Sequence, residues 1–194
     1  MENDTKKIGV LALQGDFIEH IAALRRLGVD AVEVRLPADL QDLSGLIIPG
    51  GESTTIGKLA VSYGLMDPLR HFGRHKALWG TCAGMILMAK EIGMDQPLLG
   101  LMDIKVQRNA FGRQKESFRS DITVPVLEEG DVRPFPAVFI RAPKLLSASG
   151  KAKVIASLPD GTVVAAQEDK WLVTSFHPEL TTDDRFHRYF LGLV

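Results

Sequence analysis

The 194-residue sequence contains one cysteine, and its surroundings favour a nucleophile. Cys82 lies in the sequence GTCAG (residues 80–84), after the apolar residues 77–79 and before an apolar run (residues 85–92) with helical character. This pattern predicts a nucleophile elbow, where a strand ends, the chain turns sharply and a helix begins. A helix N-terminus favours a thiolate, and the next backbone N–H can stabilise an oxyanion. A buried structural cysteine is the alternative that this motif alone leaves open.

A histidine and a glutamate further along the chain could complete a catalytic triad. The apolar residues 171–176 lead into His177-Pro178-Glu179. A thiol nucleophile needs a base that takes its proton and a third group that orients the base. His177 suits the base, and Glu179 can hold the imidazole tautomer if the turn at Pro178 brings it round. The tripeptide alone is also typical of a turn that ends a strand, but its combination with the cysteine motif favours catalysis.

A third motif, GLIIPGGESTT (residues 45–55), combines an apolar strand with a glycine turn. Ser53 and Thr54 are the expected N-cap of a following helix. The glycines allow a ligand to approach the backbone closely, and the Gly51 N–H could point into a site. An ordinary strand-to-helix turn would have the same pattern. A Walker-type phosphate loop is excluded, since no Gly-Lys-Ser/Thr follows.

The elements around these motifs predict one three-layer α/β/α domain over residues 1–194. Strands and helices alternate in the first half, which predicts a mostly parallel sheet covered by helices on both faces. The second half contains short strands, which we expect to add to the same sheet as antiparallel strands. Cys82, His177 and the glycine turn all follow predicted strands, so they should meet at the carboxyl ends of the sheet. The predicted strands span residues 8–13, 31–34, 45–48, 104–107, 118–124, 138–140, 154–157, 163–167 and 171–175, and the predicted helices span residues 17–27, 54–63, 68–75, 85–92 and 186–193.

Composition is typical of a cytoplasmic enzyme. The chain carries 23 Lys and Arg against 24 Asp and Glu, so nothing indicates a nucleic-acid partner. The polar N-terminal residues are unlike a signal peptide, and no apolar run reaches the length of a membrane span. We also expect no metal site, because His71 and His75 lie in a basic stretch typical of a solvated helix face.

Three motifs, in this order, resemble the class I (triad-type) glutamine amidotransferases: PGGESTT (residues 49–55), GTCAG (80–84) and SFHPEL (175–180). Further stretches narrow the resemblance to the glutaminase subunits of pyridoxal 5′-phosphate synthase. They are LALQG (11–15), RNAFGRQ (108–114), FIRAP (139–143) and Leu180-Thr181. The resemblance runs from about residue 8 to about residue 190. Small departures occur at Ala110, where serine is common, and at residues 16–18.

The resemblance implies a flavodoxin-like fold and a role for each site residue. Cys82 would attack the side-chain amide of L-glutamine, His177 would transfer the proton, and Glu179 would orient His177. The N–H groups of Gly51 and Ala83 would form the oxyanion hole. Surface ion pairing is the alternative for the two arginines in the substrate-binding set. That set is Gly51, Glu52, Ser53, Arg108, Ile140 and Arg141.

The resemblance also implies a partner and no cofactor. The ammonia released from glutamine would pass to the synthase lyase subunit, a (β/α)8 barrel, within a large hetero-oligomer. The isolated chain would then have low activity, with the Gly50–Gly51 peptide as a possible switch. Three other functions stay open: a glutaminase subunit of another pathway such as histidine biosynthesis, a stand-alone γ-glutamyl or peptide hydrolase, and a binding subunit with a degenerate site.

Overall fold

A computed structural model of the protein describes residues 6–108 and 117–194. Residues 109–114 of the RNAFGRQ stretch (108–114), with the departure noted at Ala110, lie outside this range, as do the N-terminal residues 1–5. The twelve strands of the described residues are β1 (Lys7–Leu11), β2 (Asp30–Val34), β3 (Gly45–Ile48), β4 (Ala77–Thr81), β5 (Ala89–Glu91), β6 (Met102–Gln107), β7 (Ser117–Ile122), β8 (Phe135–Ile140), β9 (Lys144–Ala148), β10 (Lys153–Ser157), β11 (Val163–Glu168) and β12 (Trp171–Thr174). The helices are α1 (Phe17–Arg26), α2 (Ser53–Ser62), α3 (Met66–His75), α4 (Ala83–Met88) and α5 (Arg185–Leu193), with short 3-10 turns at Pro37–Leu40 and Pro178–Leu180.

Ten of the strands form one central sheet in the order β2-β1-β3-β4-β12-β11-β9-β6-β5, with β10 paired to β11. The first five strands in this order are parallel to one another. From β12 onward, β11, β9 and β6 pair antiparallel, and β5 runs parallel to β6. This mixed sheet confirms the predicted fold class. Because β3, β4 and β12 are adjacent and parallel, their carboxyl ends lie side by side.

Helices cover both faces of the sheet and give the molecule its three layers. Successive strand residues point to opposite faces, so the neighbours Leu46 and Ile47 enter different cores. One core packs beneath α2, α3 and α4, and the other packs beneath α1, α5 and the β7–β8 hairpin. Trp79 of β4 is fully buried in the second core. Each large side chain buried in this way contributes about 1.5–3 kcal/mol to folding.

The prediction that β7 and β8 extend the central sheet is wrong. They form a separate antiparallel hairpin, with Phe118 opposite Phe139. Alternating polar and apolar residues indicate a strand but not its pairing partner. Instead of adding to a sheet edge, the hairpin packs its apolar face on the second core, where Phe139 and Phe176 contact edge to face.

The predicted helix over residues 85–92 is also too long. Helix α4 ends at Met88, and Ala89 begins strand β5, which pairs with Met102 of β6. A continuous apolar run does not distinguish a buried helix from a buried strand, which explains the error. Strand β9 was not predicted either, because its burial does not alternate regularly along the chain.

No helix within the described residues is long and apolar enough to span a membrane. The cytoplasmic location and the single-domain organisation both stay predictions.

The glycines around Cys82 are required by close backbone contacts. A Cβ atom on Gly84 would lie 2.0 Å from the Ile48 carbonyl oxygen, and one on Gly80 would lie 2.5 Å from the Gly84 carbonyl carbon. Helix α4 can therefore start directly against β3 and β4 only if both positions lack a side chain. The GTCAG motif is thus explained by packing as well as by chemistry.

We predict that Gly84→Ala destabilises the fold by about 1–3 kcal/mol or more, because the new methyl group must displace backbone. Gly192→Ala is the matched control, since it is also helical and a Cβ atom there meets nothing within 4 Å. Urea unfolding of both variants measures the difference. Equal stability of Gly84→Ala and the wild type would contradict this account of the motif.

Candidate active site

The structure confirms the turn geometry predicted for Cys82. Its backbone has φ 49° and ψ −102°, a conformation that costs a non-glycine residue free energy. The Cys82 N–H donates to the Thr174 carbonyl of β12 at 2.8 Å, and its carbonyl accepts from the Met85 N–H of α4 at 3.1 Å. These contacts hold the strained residue between the end of β4 and the start of α4. The thiol faces the Ile140 carbonyl oxygen at 3.9 Å.

His177 and Glu179 form a buried pair beside this turn. The imidazole Nδ1 lies 2.7 Å from Glu179 Oε1, and both side chains are almost fully buried. The short 3-10 turn that starts at Pro178 brings Glu179 back toward His177, as the sequence predicts. With Nδ1 engaged by Glu179, the other ring nitrogen is the one available to a nucleophile.

The charges in this site depend on one another. Burial opposes the charged form of His177, but hydrogen bonds with Asp16, Cys82 and Glu179 outweigh it and raise the pKa of His177 well above its ordinary value. Burial also raises the pKa of the Glu179 carboxyl, and the hydrogen bond with His177 partly reverses that effect. The charged form of His177 is therefore favoured by Asp16 and Cys82 together with Glu179, and His177 in turn favours the charged form of Glu179.

Asp16 is a second carboxylate beside His177, and the sequence analysis missed it. Its Oδ2 lies 3.3 Å from His177 Nδ1, with the side chain 38% exposed. The hydrogen bond with His177 lowers the pKa of Asp16. Asp16 was treated as part of a variable stretch, and the available signal was its position directly before α1, at the carboxyl end of β1.

A cavity of about 340 Å³ opens in front of Cys82 and His177. It brings together the predicted site residues except Glu179, which lies behind His177. Four residues that were not predicted as site residues also line it: Gln14, Gly15, Asp16 and Ile86. Gln14 supports the glycine turn, because its Oε1 accepts the Glu52 N–H at 2.7 Å. Its only earlier signal was the LALQG stretch.

Arg108 reaches the cavity from the end of β6 and is held in place by α2. Its Nη1 donates to Thr54 Oγ1 and to Gln96 Oε1 at 2.9 Å, and its Nη2 donates to Glu52 Oε1 at 3.0 Å. The Arg108 side chain is about one-fifth exposed and its guanidinium is hydrogen-bonded, so it is not a freely solvated surface cation. Further N–H groups of the five on a guanidinium are available to a ligand.

Glu52, not Ser53 or Thr54, is the N-cap of α2. Its carboxylate accepts hydrogen bonds from the Thr54 and Thr55 N–H groups at 3.1 and 2.7 Å and from the Thr55 hydroxyl. Burial would raise the pKa of Glu52, but these hydrogen bonds lower it to about 2. The sequence prediction followed the usual preference for short polar caps, whereas the longer glutamate side chain folds back over its own helix.

The β7–β8 hairpin supplies the remaining wall of the cavity. Ile140 and Arg141 at the end of β8 line it, and Arg141 has the unusual φ of 42°. The His177 N–H donates to the Val138 carbonyl of β8 at 2.8 Å. Because the hairpin packs on the second core, it both forms this wall of the cavity and holds the His177 backbone in place.

The predicted oxyanion-hole residues also lie at the cavity. Ala83 is the first residue of α4, where backbone N–H groups have no partner within the helix. The Gly50 carbonyl accepts the Asp16 N–H at 3.1 Å. Because a peptide is planar and trans, the Gly51 N–H points away from Asp16. A Cβ atom on Gly50 would lie 2.4 Å from the His177 ring, so this turn packs directly on the imidazole.

The ligand atoms of Asp16, His177 and Glu179 lie within 4.8 Å of one another, a spacing that a metal ion could bridge. Both carboxylates approach the same nitrogen, His177 Nδ1, and the 2.7 Å contact is a hydrogen bond. An ion there would have to replace the proton that joins the pair. The absence of a metal site stays a prediction.

We predict that Asp16→Asn lowers the pKa of His177 by about one unit, because a nearby carboxylate favours the imidazolium. The stability contributed by the raised pKa is present below pH 6.5 and is lost as the pH rises through the folded-state value. The variant should therefore lose that stability at lower pH than the wild type does. Thermal melting as a function of pH, with NMR of the His177 ring, measures the shift.

Glu19→Gln is the matched control for Asp16→Asn. It removes an exposed carboxylate from the first turn of α1, the helix that Asp16 directly precedes. Superimposable pH curves for the two variants would contradict the assigned contact between Asp16 and His177.

Sequence comparisons identify a family and named relatives for the chain. The model of the SNO glutamine amidotransferase family matches residues 10–194. The chain is 58% identical over 192 residues to pyridoxal 5′-phosphate synthase subunit PdxT of Dehalococcoides mccartyi, with 97% of each chain covered. It is 56% identical over 191 residues to the same subunit of Herpetosiphon aurantiacus, with 96% of this chain and 99% of the relative covered.

Solved structures agree with this placement. A crystal structure of a glutamine amidotransferase matches with a TM-score of 0.90 and 52% identity, covering 96% of this chain and 97% of that chain. PurLQS from Thermotoga maritima matches with a TM-score of 0.74 at 14% identity, covering 97% and 98%, and supports the fold alone. With the family model matched from residue 10 to the last residue, the chain belongs to the SNO glutamine amidotransferase family.

Proposed function

We propose that this chain hydrolyses L-glutamine to L-glutamate and ammonia, and that it supplies the ammonia to the lyase subunit of a pyridoxal 5′-phosphate synthase. The observation that carries the proposal is the meeting of Cys82, His177 and Glu179 at the carboxyl ends of adjacent parallel strands, beside a cavity. Relatives that are more than half identical over nearly the whole length are named as subunits of that synthase.

The first half-reaction forms a thioester. Cys82 Sγ attacks the side-chain carbonyl carbon of glutamine as a thiolate, its proton having passed to His177. The carbonyl oxygen becomes an oxyanion, which the N–H groups of Gly51 and Ala83 stabilise. His177 then donates its proton to the leaving nitrogen, the C–N bond breaks and ammonia departs. Glu179 keeps the imidazole in the required orientation and stabilises its charged form.

The second half-reaction restores the enzyme. A water molecule gives a proton to His177 and attacks the thioester carbon. The C–S bond breaks, Cys82 leaves as a thiolate, and glutamate is released. The same N–H groups stabilise the second oxyanion. In both half-reactions, every proton moves between His177 and one of three groups: the Cys82 thiol, the leaving nitrogen or water.

Substrate binding is assigned to the rim of the cavity. Arg108 would pair with the α-carboxylate of glutamine, since a guanidinium fork suits a carboxylate and Glu52 and Gln96 already orient it. The Ile140 and Arg141 backbone and the segment Gly51–Ser53 would enclose the rest of the amino acid. Arg141 follows a strand end with positive φ, a conformation that often occurs at ligand sites.

A partner follows from the chemistry of the product. Ammonia is largely protonated at neutral pH, so it is a poor nucleophile once it reaches bulk water. A sheltered transfer to the lyase subunit, a (β/α)8 barrel in a large hetero-oligomer, would avoid that loss. Docking control of the site is part of this proposal, with the Gly50–Gly51 peptide as the element that changes.

We predict that glutamate release from glutamine is slow for the chain alone and rises strongly when a pyridoxal 5′-phosphate synthase lyase subunit is added. Cys82→Ala should lower the stimulated rate by at least about a thousandfold, because it removes the nucleophile. An enzymatic assay of glutamate, with and without the lyase subunit, measures both effects. Unchanged melting temperature and retained binding to the lyase subunit are the controls for the variant.

The outcomes separate the alternatives. Turnover that the lyase subunit does not change would assign the chain to another amidotransferase system or to a stand-alone hydrolase. Turnover retained by Cys82→Ala would contradict the triad itself.

A further inference from the structure

Two histidines lie buried behind the His177–Glu179 pair, and the proposed mechanism does not use them. His20 on α1 and His187 on α5 are both fully buried. Neither lines the active-site cavity. Their sequence positions carried no motif, so the sequence analysis did not identify them. A buried imidazole pair loses hydration, so its contacts should explain its presence.

His20 connects the triad to α5. Its Nε2 lies 3.3 Å from Glu179 Oε2 and 3.2 Å from the Thr81 hydroxyl, next to Cys82 in the sequence. Its Nδ1 lies 3.1 Å from His187 Nε2. A continuous line of polar contacts therefore runs from His177 through Glu179 and His20 to His187.

Glu179 Oε2 is the atom that needs this contact. Glu179 Oε1 is engaged by His177, whereas Oε2 is buried and makes no hydrogen bond of full geometry within the described part of the chain. An ionised carboxylate with a bare buried oxygen is costly. His20 Nε2 faces this oxygen at 3.3 Å and also lies 3.2 Å from Thr81 Oγ1, so a proton on Nε2 faces two acceptors.

The contacts determine where the protons of both rings lie. If His20 donates from Nε2, its Nδ1 has no proton and must accept one from His187 Nε2. His187 Nδ1 is then an acceptor, and it is buried with no hydrogen-bond partner among the described residues. At this buried position, an unpaired nitrogen acceptor costs less free energy than an unpaired N–H donor would. Burial lowers the pKa of His20 and of His187, which keeps both rings neutral as this arrangement requires.

We propose that His20 is a positioning residue of the triad: it donates from Nε2 to Glu179 Oε2 and so holds that carboxylate ionised and turned toward His177, while His187 fixes the tautomer of His20. The inference rests on the triad roles given under the proposed function. Helix α1 and its N-cap residue then support the triad at two points, since Asp16 lies beside His177 and His20 lies beside Glu179.

The surrounding charges set the expected pH dependence. Among the described residues, the titratable groups facing His20 are His187 on α5, Glu179 on the 3-10 turn and His177 after β12. Asp16 acts in turn on Glu179, while Asp184 and Arg26 act on His187. A donor to Glu179 favours its charged form, so losing that donor should raise the pKa of Glu179 and move the acid limb of activity to higher pH.

The test compares two substitutions of His20 that differ in reach. Glutamine can place an amide N–H where Nε2 lies, and asparagine cannot reach Glu179. We expect His20→Asn to lower kcat for glutamate release, measured with the lyase subunit, by about tenfold to a hundredfold, with little change in KM. The acid limb should move up by about one pH unit. His20→Gln should recover most of both effects.

A second readout does not require glutamine. Because the chain has one cysteine, iodoacetamide modification reports on Cys82 directly. We expect the pH profile of modification to shift in His20→Asn and to return toward the wild type in His20→Gln. If the wild-type chain does not hydrolyse glutamine but the modification profile still shifts in His20→Asn and returns in His20→Gln, the proposed function is wrong and the positioning role of His20 is supported. His71→Asn, on an exposed face of α3, is the control for loss of a histidine.

Several results would overturn the positioning role. If the role of His20 is purely structural, its variants should have a lower melting temperature, with kcat and pH profiles unchanged in the folded protein. Equal effects of His20→Asn and His20→Gln on kcat and on the pH profiles would also indicate a purely structural role. If either variant fails to fold, nitrogen-15 NMR of the wild-type imidazoles decides, because the proposal requires the proton of His20 on Nε2. A proton on Nδ1 would contradict it.

Discussion

The site depends on one buried interaction, the 2.7 Å hydrogen bond between His177 Nδ1 and Glu179 Oε1. Removing a carboxylate from water costs several kcal/mol unless a charged partner and further donors compensate. Much of the nearby structure supplies that compensation. Asp16 faces the same imidazole nitrogen, and His20 faces the second oxygen of Glu179. As a result, the His177 imidazole, the proposed base, is both buried and held in one orientation.

Cys82, the proposed nucleophile, is held by a backbone constraint instead. Cys82 adopts a positive φ that only a well-supported segment can maintain. The Thr174 carbonyl of β12 accepts a hydrogen bond from the Cys82 N–H. In addition, Gly84 has no side chain, so its backbone can pack directly against Ile48 of β3. Strand β12 therefore both supports the cysteine and leads into the histidine. The parallel register of β4 and β12 is what brings Cys82 and His177 together.

Local pattern predicted most of the fold and the proximity of Cys82, His177 and Glu179, because a strand end, a glycine turn and a His-Pro-Glu sequence are features of neighbouring residues. Features that depend on distant contacts were missed or misplaced. The β7–β8 hairpin was assigned to the wrong sheet, since alternation does not name a pairing partner. Asp16 and His20 were missed, because their importance arises only from contacts with residues distant in the sequence, His177 for Asp16 and Glu179 for His20. The cap of α2 at Glu52 was missed because its side chain folds back on the helix.

The most direct measurement of the central claim is the crystal structure of the chain after reaction with a glutamine analogue that carries an electrophile at the amide position. The account predicts one adduct, on Cys82, with its carbonyl oxygen within hydrogen-bond distance of the Gly51 and Ala83 N–H groups and its α-carboxylate against Arg108. His177 should keep its contact with Glu179 in that complex. Modification at another residue, or an adduct whose amino-acid end lies away from Arg108, would contradict the assigned site.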